Sequence, residues 1–440
     1  MAATTEAACL VESGALYTRR VGFATEGDPI FVGIKHGAAS IYYGDGPFFH
    51  FDLEGRWQRL LIDGIHYLKG LDGSVRAIDR VRKGENLILE RRTLAYAEVA
   101  DLDDRVRRTA IDLGDAISNR RFPRLEPPAK KGVRPLEDRE ALDLLDRITA
   151  WDANAWFSHK DRYVKTYSAL PFVPPDCMTP LFVQLVEGER GARFGGLGEG
   201  DSGVEPAPRS LAEFETHLDR VARLLGARVG QARQVYLCGP TATTLETDDL
   251  AAALEAIGRR FPIPEALHRG QTADGDLDPF AIQVDGIHAF AVDFDLLRRR
   301  SLDDWIRLRK LRLESITLGV ESADRETLRS LGRTWELSDL QAIIRTLDAA
   351  NIRANLAVIV DLDPASGRRA LAESITVAAP RRGVIVSLIR RGDLDSAAGN
   401  PEATAPETAA DPRDEVRELL AGLRAGGVKV VPFLPEKRWI

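Results

Sequence analysis

The sequence predicts an α/β protein: a partial (β/α)6-type TIM barrel of parallel strands, preceded by a small β-rich domain with a following helix. Three observations predict it. From about residue 138 onward, short apolar runs alternate with helical patterns six or seven times without a reversal. Those runs are nearly all apolar, as strands buried on both faces are. Before them, residues 28–89 hold short β-branched and aromatic runs punctuated by Gly-Asp and Asp-Gly pairs at hairpin spacing.

In the first region, "DPIFVGIKHG", "ASIYYGDG", "PFFHFDLEG", "RWQRLLIDGIHYLKG" and "SVRAIDRVRKG" read as strands. A helical pattern follows, with Leu94, Val99, Leu102, Val106, Ile111 and Leu113 as its apolar stripe. "PRLEPPAKKGVRP" then supplies four prolines and a basic pair, the composition of a linker. The expected division is therefore a β-rich domain over residues 1–122, a Pro-rich linker over 123–137 and the barrel over 138–440.

Within the barrel region the expected strands are "LFVQLVEG", "QVYLCGP", "IHAFAVDF", "SITLGVES", "IRANLAVIVDL", "GVIVSLI" and a last "VKVVPFL". Capping boxes sign the helix starts at Ser210 with Glu213, Ser301 with Asp304, and Ser338 with Gln341. Asn351 takes the position after a helix where a left-handed residue is wanted. The segment "GDLDSAAGNPEATAPETAADPRDE" reads as a surface loop without fixed structure.

Composition excludes several classes. The chain has 440 residues, 44% hydrophobic and 29% charged, as in ordinary globular proteins. With 60 basic against 67 acidic residues the net charge is −7, which argues against a nucleic-acid partner. No run approaches the roughly 18 apolar residues of a membrane span. "MAATTEAACLVESGAL" has no basic region before its apolar patch and does not read as a secretory signal. The three cysteines, Cys9, Cys177 and Cys238, are odd in number and far apart, which fits a reducing cytoplasm.

Functional residues of parallel α/β folds lie on loops leaving the carboxyl ends of the strands. Here those ends bring Glu187 and Glu189, then Cys238, Gly239 and Pro240, then Asp293 and Asp295, then Glu321 and Ser322, then Asp361 and Asp363. Such a ring of acids would suit a hard cation or a cationic ligand. Asp and Ser at strand ends equally cap the following helix. Glu321 differs, being a long carboxylate placed directly after a buried strand. The first strand runs into "EGERGARFGGLGEG", six glycines between Gly188 and Gly200. It lacks the Gly-Lys-Ser/Thr of a phosphate loop, and no helix opens directly after its glycines as a dinucleotide fingerprint requires. The histidines are scattered: His36, His50 and His66 fall in the β-rich region, His159, His217 and His268 on helices or loops, and His288 on a strand.

From about Ala155 onward the chain resembles the radical S-adenosylmethionine (SAM) superfamily, in the branch that shares the core of the oxygen-independent coproporphyrinogen oxidase and Elongator-like enzymes. The resemblance is carried by "ESITLGVESADRETLRSLGRTWELSDLQAIIRTLDAANIRANLAVIV", by "RQVYLCGPTATTLETDDLAAALEAIGRRFP" and by "GIHAFAVDFDLLRRRSLDDWIRLRKLRLESI". It implies a loop after the first strand with three cysteines, spaced C-x3-C-x2-C, holding a [4Fe–4S] cluster. Here Glu189 stands near the first ligand, Ala192 or Arg193 near the second, and Gly195 or Gly196 near the third, so no thiolate is present to hold iron. The resemblance further implies SAM contacts at Gly239 and Pro240, where the family's acid is missing, and at Glu321 with its neighbour Ser322; the strand-end acids Asp293 and Asp361 are candidate cavity acids beside them. The expectation is a radical-SAM-like pseudoenzyme, with S-adenosylmethionine as candidate cofactor and no [4Fe–4S] cluster. Its expected ligand is a small molecule or peptide, or a protein partner or second copy, with no nucleic acid and no membrane. The alternative is a non-radical enzyme using SAM or a divalent metal held by the strand-end acids.

Overall fold

The computed structural model describes residues 18–35, 37–83, 86–125, 133–168, 180–187, 194, 207–261, 286–362, 365–378, 384–389, 419–424 and 428–432. The N-terminal part is an antiparallel meander: β1 (Thr18–Phe23), β2 (Ile30–Lys35), β3 (Ala38–Tyr43), β4 (Phe48–Asp52), β5 (Trp57–Ile62), β6 (Ile65–Lys69), β7 (Val75–Lys83) and β8 (Asn86–Thr93). The Asp-Gly signal holds at Asp63 and Gly64, where φ values of 53° and 81° make the turn whose twist suits a two-residue hairpin. Alternation sends Val21, Val32, Ile41, Phe49 and Leu60 to one face, where they are buried.

Helix α1 (Tyr96–Ser118) covers that face with Val106, Ala110, Leu113 and Ile117. Ile111, expected in the stripe, is 39% exposed. The helical period closes on Ala110 instead, one position before it. The N-terminal core continues through the Pro-rich stretch. There β9 (Arg124–Leu125) and β10 (Val133–Pro135) both pair with β1, and α2 (Asp138–Thr149) buries Ala141, Leu144, Leu145 and Ile148 in the same cluster.

After α3 (Ala153–Thr166) the chain alternates strand and helix: β11 (Pro180–Gln184), a short β12 (Val186–Glu187) and β13 (Ala207–Pro208), α4 (Leu211–Leu225), β14 (Gln234–Cys238), α5 (Thr247–Arg260) and β15 (Ile287–Ala291). It continues with α6 (Phe294–Arg299), α7 (Leu302–Lys310), β16 (Leu313–Val320), α8 (Arg325–Ser330), α9 (Leu337–Ala349), β17 (Arg353–Ile359), α10 (Ala365–Ala378), β18 (Ile385–Ile389) and β19 (Lys429–Pro432). Seven strands, β11-β14-β15-β16-β17-β18-β19, lie parallel in chain order, the partial barrel that the alternation predicts.

The capping boxes at Ser210 and Ser301 form as read. The third does not: α9 is capped by Glu336 with Asp339, and Gln341 instead donates to Ser374 at 2.9 Å. Helix α9 starts two residues earlier because Leu337 and Leu340 already pack on the core. Asn351 is left-handed, with φ 63°.

The two parts are bolted together at a buried guanidinium. Arg56 pairs with Asp52 at 2.6 Å and donates to the Leu224 carbonyl at 2.6 Å and to that of Leu225, the last carbonyls of α4. Glu54 accepts from the Ala227 amide at 2.8 Å, and Trp151 Nε1 donates to the Glu54 carbonyl at 2.7 Å. The last two carbonyls of α4 thus meet a charged donor from the β-rich part.

Candidate functional site at the barrel mouth

Strand alternation divides the parallel sheet into two chemically distinct faces. Leu237, Ala289, Ile316 and Ala354 stand in register on neighbouring strands and form the aliphatic face. Tyr236, His288 and Ser315 form one row of the other face, and Thr317 and Asn355 the next. This second, polar face lines the barrel and is buried throughout. Its groups bond one another: His288 Nδ1 and Ser315 Oγ lie 2.6 Å apart, and Asn355 Oδ1 accepts from the Ile385 amide at 3.2 Å. Burial, with Arg353 adding to it, pushes His288 down to about 3, so its ring is neutral.

At the carboxyl end of β16, Glu321 is fully buried. Its two oxygens are held by one guanidinium, Arg333 Nε at 2.5 Å from Oε2 and Nη2 at 2.8 Å from Oε1. Arg333 comes from the connection between α8 and α9, and that connection is tied to the rim. Thr334 donates to Asp295, and Trp335 packs on Phe294 with ring centroids 4.5 Å apart. The Glu321 carboxylate holds Arg333 above its ordinary value, and Asp293 adds a smaller pull. Glu321, Arg333 and Asp293 are therefore one charged group at the mouth. Arg333 was not singled out from sequence. The available signal is that a carboxylate directly after a buried strand requires a cation, and "SLGRT" supplies the next arginine after α8.

The other expected positions separate. Ser322 is buried, and its hydroxyl accepts from the Asp324 amide at 2.9 Å, a turn that starts α8. Asp293 caps α6, accepting from Leu296 N at 3.0 Å. Gly239 and Pro240 are buried at the end of β14 and open a 3-10 turn, Pro240–Thr244. Arg300 grips that turn by donating to the carbonyls of Thr243, at 2.5 Å, and Leu245. Asp361 sits exposed in the turn after β17. Glu187 is exposed and pairs with Arg209 at 3.3 Å. Glu189, Ala192, Arg193, Gly195, Gly196 and Asp363 lie outside the described residues.

One residue of the glycine loop is described, and it was not anticipated. Phe194 is buried, meets Phe290 edge-on with centroids 5.4 Å apart, and lies over Gly319 of β16. A Cβ at position 319 would come within 2.8 Å of both the Phe194 ring and Val292 Cγ1. Glycine at 319 is what lets the ring seat on the polar face of the barrel. Cys238 is buried at the end of β14, where it packs as a small apolar residue. Among the described residues no group of three or more His, Cys, Asp and Glu side chains is arranged to hold a metal ion. Among the described residues no helix is long and apolar enough to cross a membrane.

No protein-family model and no curated protein matches the chain. Its structure is similar to radical SAM enzymes. One is the coproporphyrinogen III oxidase HemN from Escherichia coli, at 16% identity, covering 48% of this chain and 44% of that one, with a TM-score of 0.34. Another is Elp3 from Methanocaldococcus infernus, at 13% identity, covering 58% and 56%, with a TM-score of 0.33. A third is SuiB from Streptococcus suis bound to its precursor peptide SuiA, at 10% identity, covering 86% and 73%, with a TM-score of 0.38. The chain spans about half the length of the first two. At such identities the likeness is one of distant architecture and does not reach individual residues.

Proposed function

We propose that this chain is a radical-SAM-like partial barrel without cluster-dependent radical chemistry, a pseudoenzyme that binds a small molecule, peptide or partner protein in or near the barrel mouth. The observation that carries the reading is the loop leaving β11: its sequence holds no cysteine, and its described residue, Phe194, is packed as an apolar contact on Gly319 and Phe290. A [4Fe–4S] cluster requires thiolate ligands. The chain's cysteines, Cys9, Cys177 and Cys238, all lie outside that loop. The donor set of the loop therefore does not fit the cluster.

The rim acids support the same reading over a metal-dependent enzyme. Glu321 already binds Arg333 through both oxygens, and Asp293 serves as a helix cap. A cationic group, such as the ammonium of SAM, would have to compete with Arg333 for Glu321. What the mouth retains is the Glu321–Arg333 pair beside an apolar patch of Phe194, Phe290 and Val292, while the His288–Ser315 row lies nearer the amino ends of its strands. The widely spaced cysteines favour a reducing, cytoplasmic setting.

The test is calorimetric titration of the pure protein with SAM, with iron and sulfide assayed on the same sample. Neither SAM binding nor iron is the expected result for a partner- or peptide-binding pseudoenzyme. SAM binding without iron, lost in Glu321→Gln, would move the assignment to a SAM-using or SAM-sensing protein. Stoichiometric iron and sulfide would overturn the reading of the loop.

A further inference from the structure

The antiparallel sheet has a second face, and its composition is one-sided. In register across β2 to β5, Phe31, Tyr42, Phe48 and Leu61 form one row, and Gly33, Ser40, His50 and Arg59 the next. Tyr42 and Phe48 have ring centroids 4.8 Å apart, Phe48 stacks on His50 at 6.0 Å, and Arg20 lies over Phe31 at 4.0 Å. Tyr42 is 42% exposed, and Arg59 is exposed two strands away in the next row. Continuing across the sheet, His66 pairs with Ile78, and alternation along β7 places Arg80 and Arg82 on the same face, both exposed. Among the described strand residues from β1 to β7 the only acid on this face is Asp52, which is buried at the β4 bulge and paired with Arg56.

The net charge of −7 averages over the chain and hides this face. A partner for it must offer flat apolar surfaces for the rings and negative charge for the guanidiniums. Single-stranded nucleic acid offers both, its bases stacking on aromatic side chains while its phosphates meet arginine. A second copy of the same face would set arginine against arginine and is disfavoured. An acidic peptide would use the charge but not three rings on consecutive strands. We propose that the face of the N-terminal sheet bearing Phe31, Tyr42, Phe48 and Arg59 binds single-stranded nucleic acid. The proposal is independent of what the barrel mouth binds.

The test uses the full chain and fluorescein-labelled oligouridylate and oligothymidylate, read by anisotropy across a salt series. Saturable binding that weakens with salt is expected, with a matched duplex bound less well because its bases are not available to stack. Replacing Tyr42 and Phe48 together by alanine should lower affinity about tenfold or more. Tyr42→Trp should retain binding. Arg59→Gln and Arg80→Gln should each reduce the logarithmic salt slope by about 0.7. The Tyr42→Ala protein should keep its melting temperature and its response to SAM, which separates this proposal from the reading of the barrel. Absence of saturable binding, duplex binding as tight as single strand, or affinity unchanged in the Tyr42 and Phe48 double variant would each overturn it. Displacement of the oligonucleotide by polyglutamate at equal charge would also overturn it, in favour of an acidic protein partner.

Discussion

The two sheets of this chain treat their second faces in opposite ways. Each hides one aliphatic face in an apolar core. The parallel sheet turns its other face inward, where most polar groups take a partner inside the protein: His288 Nδ1 with Ser315, Asn355 with the Ile385 amide, Glu321 with Arg333 at the rim, while His288 Nε2 and Ser387 Oγ have none among the described residues. The antiparallel sheet leaves part of its other face exposed, with Tyr42, Arg59, Arg80 and Arg82 at the surface and Phe31 and Phe48 half-buried, while Arg76 and Asp52 on the same face are buried. Buried polarity must be paid for by a partner inside the protein, whereas exposed aromatic and basic groups remain free to meet one outside. Conserving the inner pairs should therefore matter for stability, and the outer groups for binding.

The largest expected effect comes from breaking an inner pair on one side only. Arg333→Leu leaves the Glu321 carboxylate buried without its cation and should destabilise the protein by about 4 kcal/mol in denaturant unfolding. Replacing Glu321 by Met in the same protein should restore most of the loss. An equal loss in single and double variants would mean that Arg333 acts by packing and not by charge.

Phe194→Ala should cost about 3 kcal/mol, the usual price for emptying a buried aromatic site. Phe194 belongs to the main apolar core and rests on Gly319, so a loss of that size would show that the glycine loop is anchored there by this ring. A change near zero would mean the loop does not depend on it.

A further effect, spread over three buried imidazoles, is a pH dependence. Burial pushes His159, His217 and His288 from the ordinary 6.5 down to about 3, with Arg56, Arg209 and Arg353 respectively adding to it. Below 6.5 the unfolded chain takes up protons that the folded chain refuses, so stability is full above that value and is lost as pH falls toward 3. Thermal melting in neutral and mildly acidic buffer should show the decline, and His288→Asn should flatten part of it. A flat profile would mean that the rings take up protons in the fold as readily as in the unfolded chain.

Much of this was legible in the residues. Alternation of apolar strands with capped helices predicted the parallel barrel, and Asp-Gly pairs predicted the meander. The Ser210 and Ser301 boxes marked two helix starts correctly because Ncap and N3 are neighbours in the chain. The Ser338 box misled because tertiary packing of Leu337 and Leu340 drew the helix start upstream. Glu321 drew notice as a carboxylate directly after a buried strand, but its partner did not, since Arg333 reaches it only after the chain has turned through α8.

By itself the sequence determined what is local or compositional: the period of each element, the two-faced nature of every strand, and the lack of any thiolate in the loop after β11. Only the tertiary structure decided which side chains meet. It set Phe194 on Gly319, gave Glu321 to Arg333, joined Arg56 to the end of α4, and aligned Phe31, Tyr42 and Phe48 in one open row. The physical reason is range. Periodicity along a strand states that two faces differ, but strand register and the long-range approach of other elements decide which face is buried and what its residues touch.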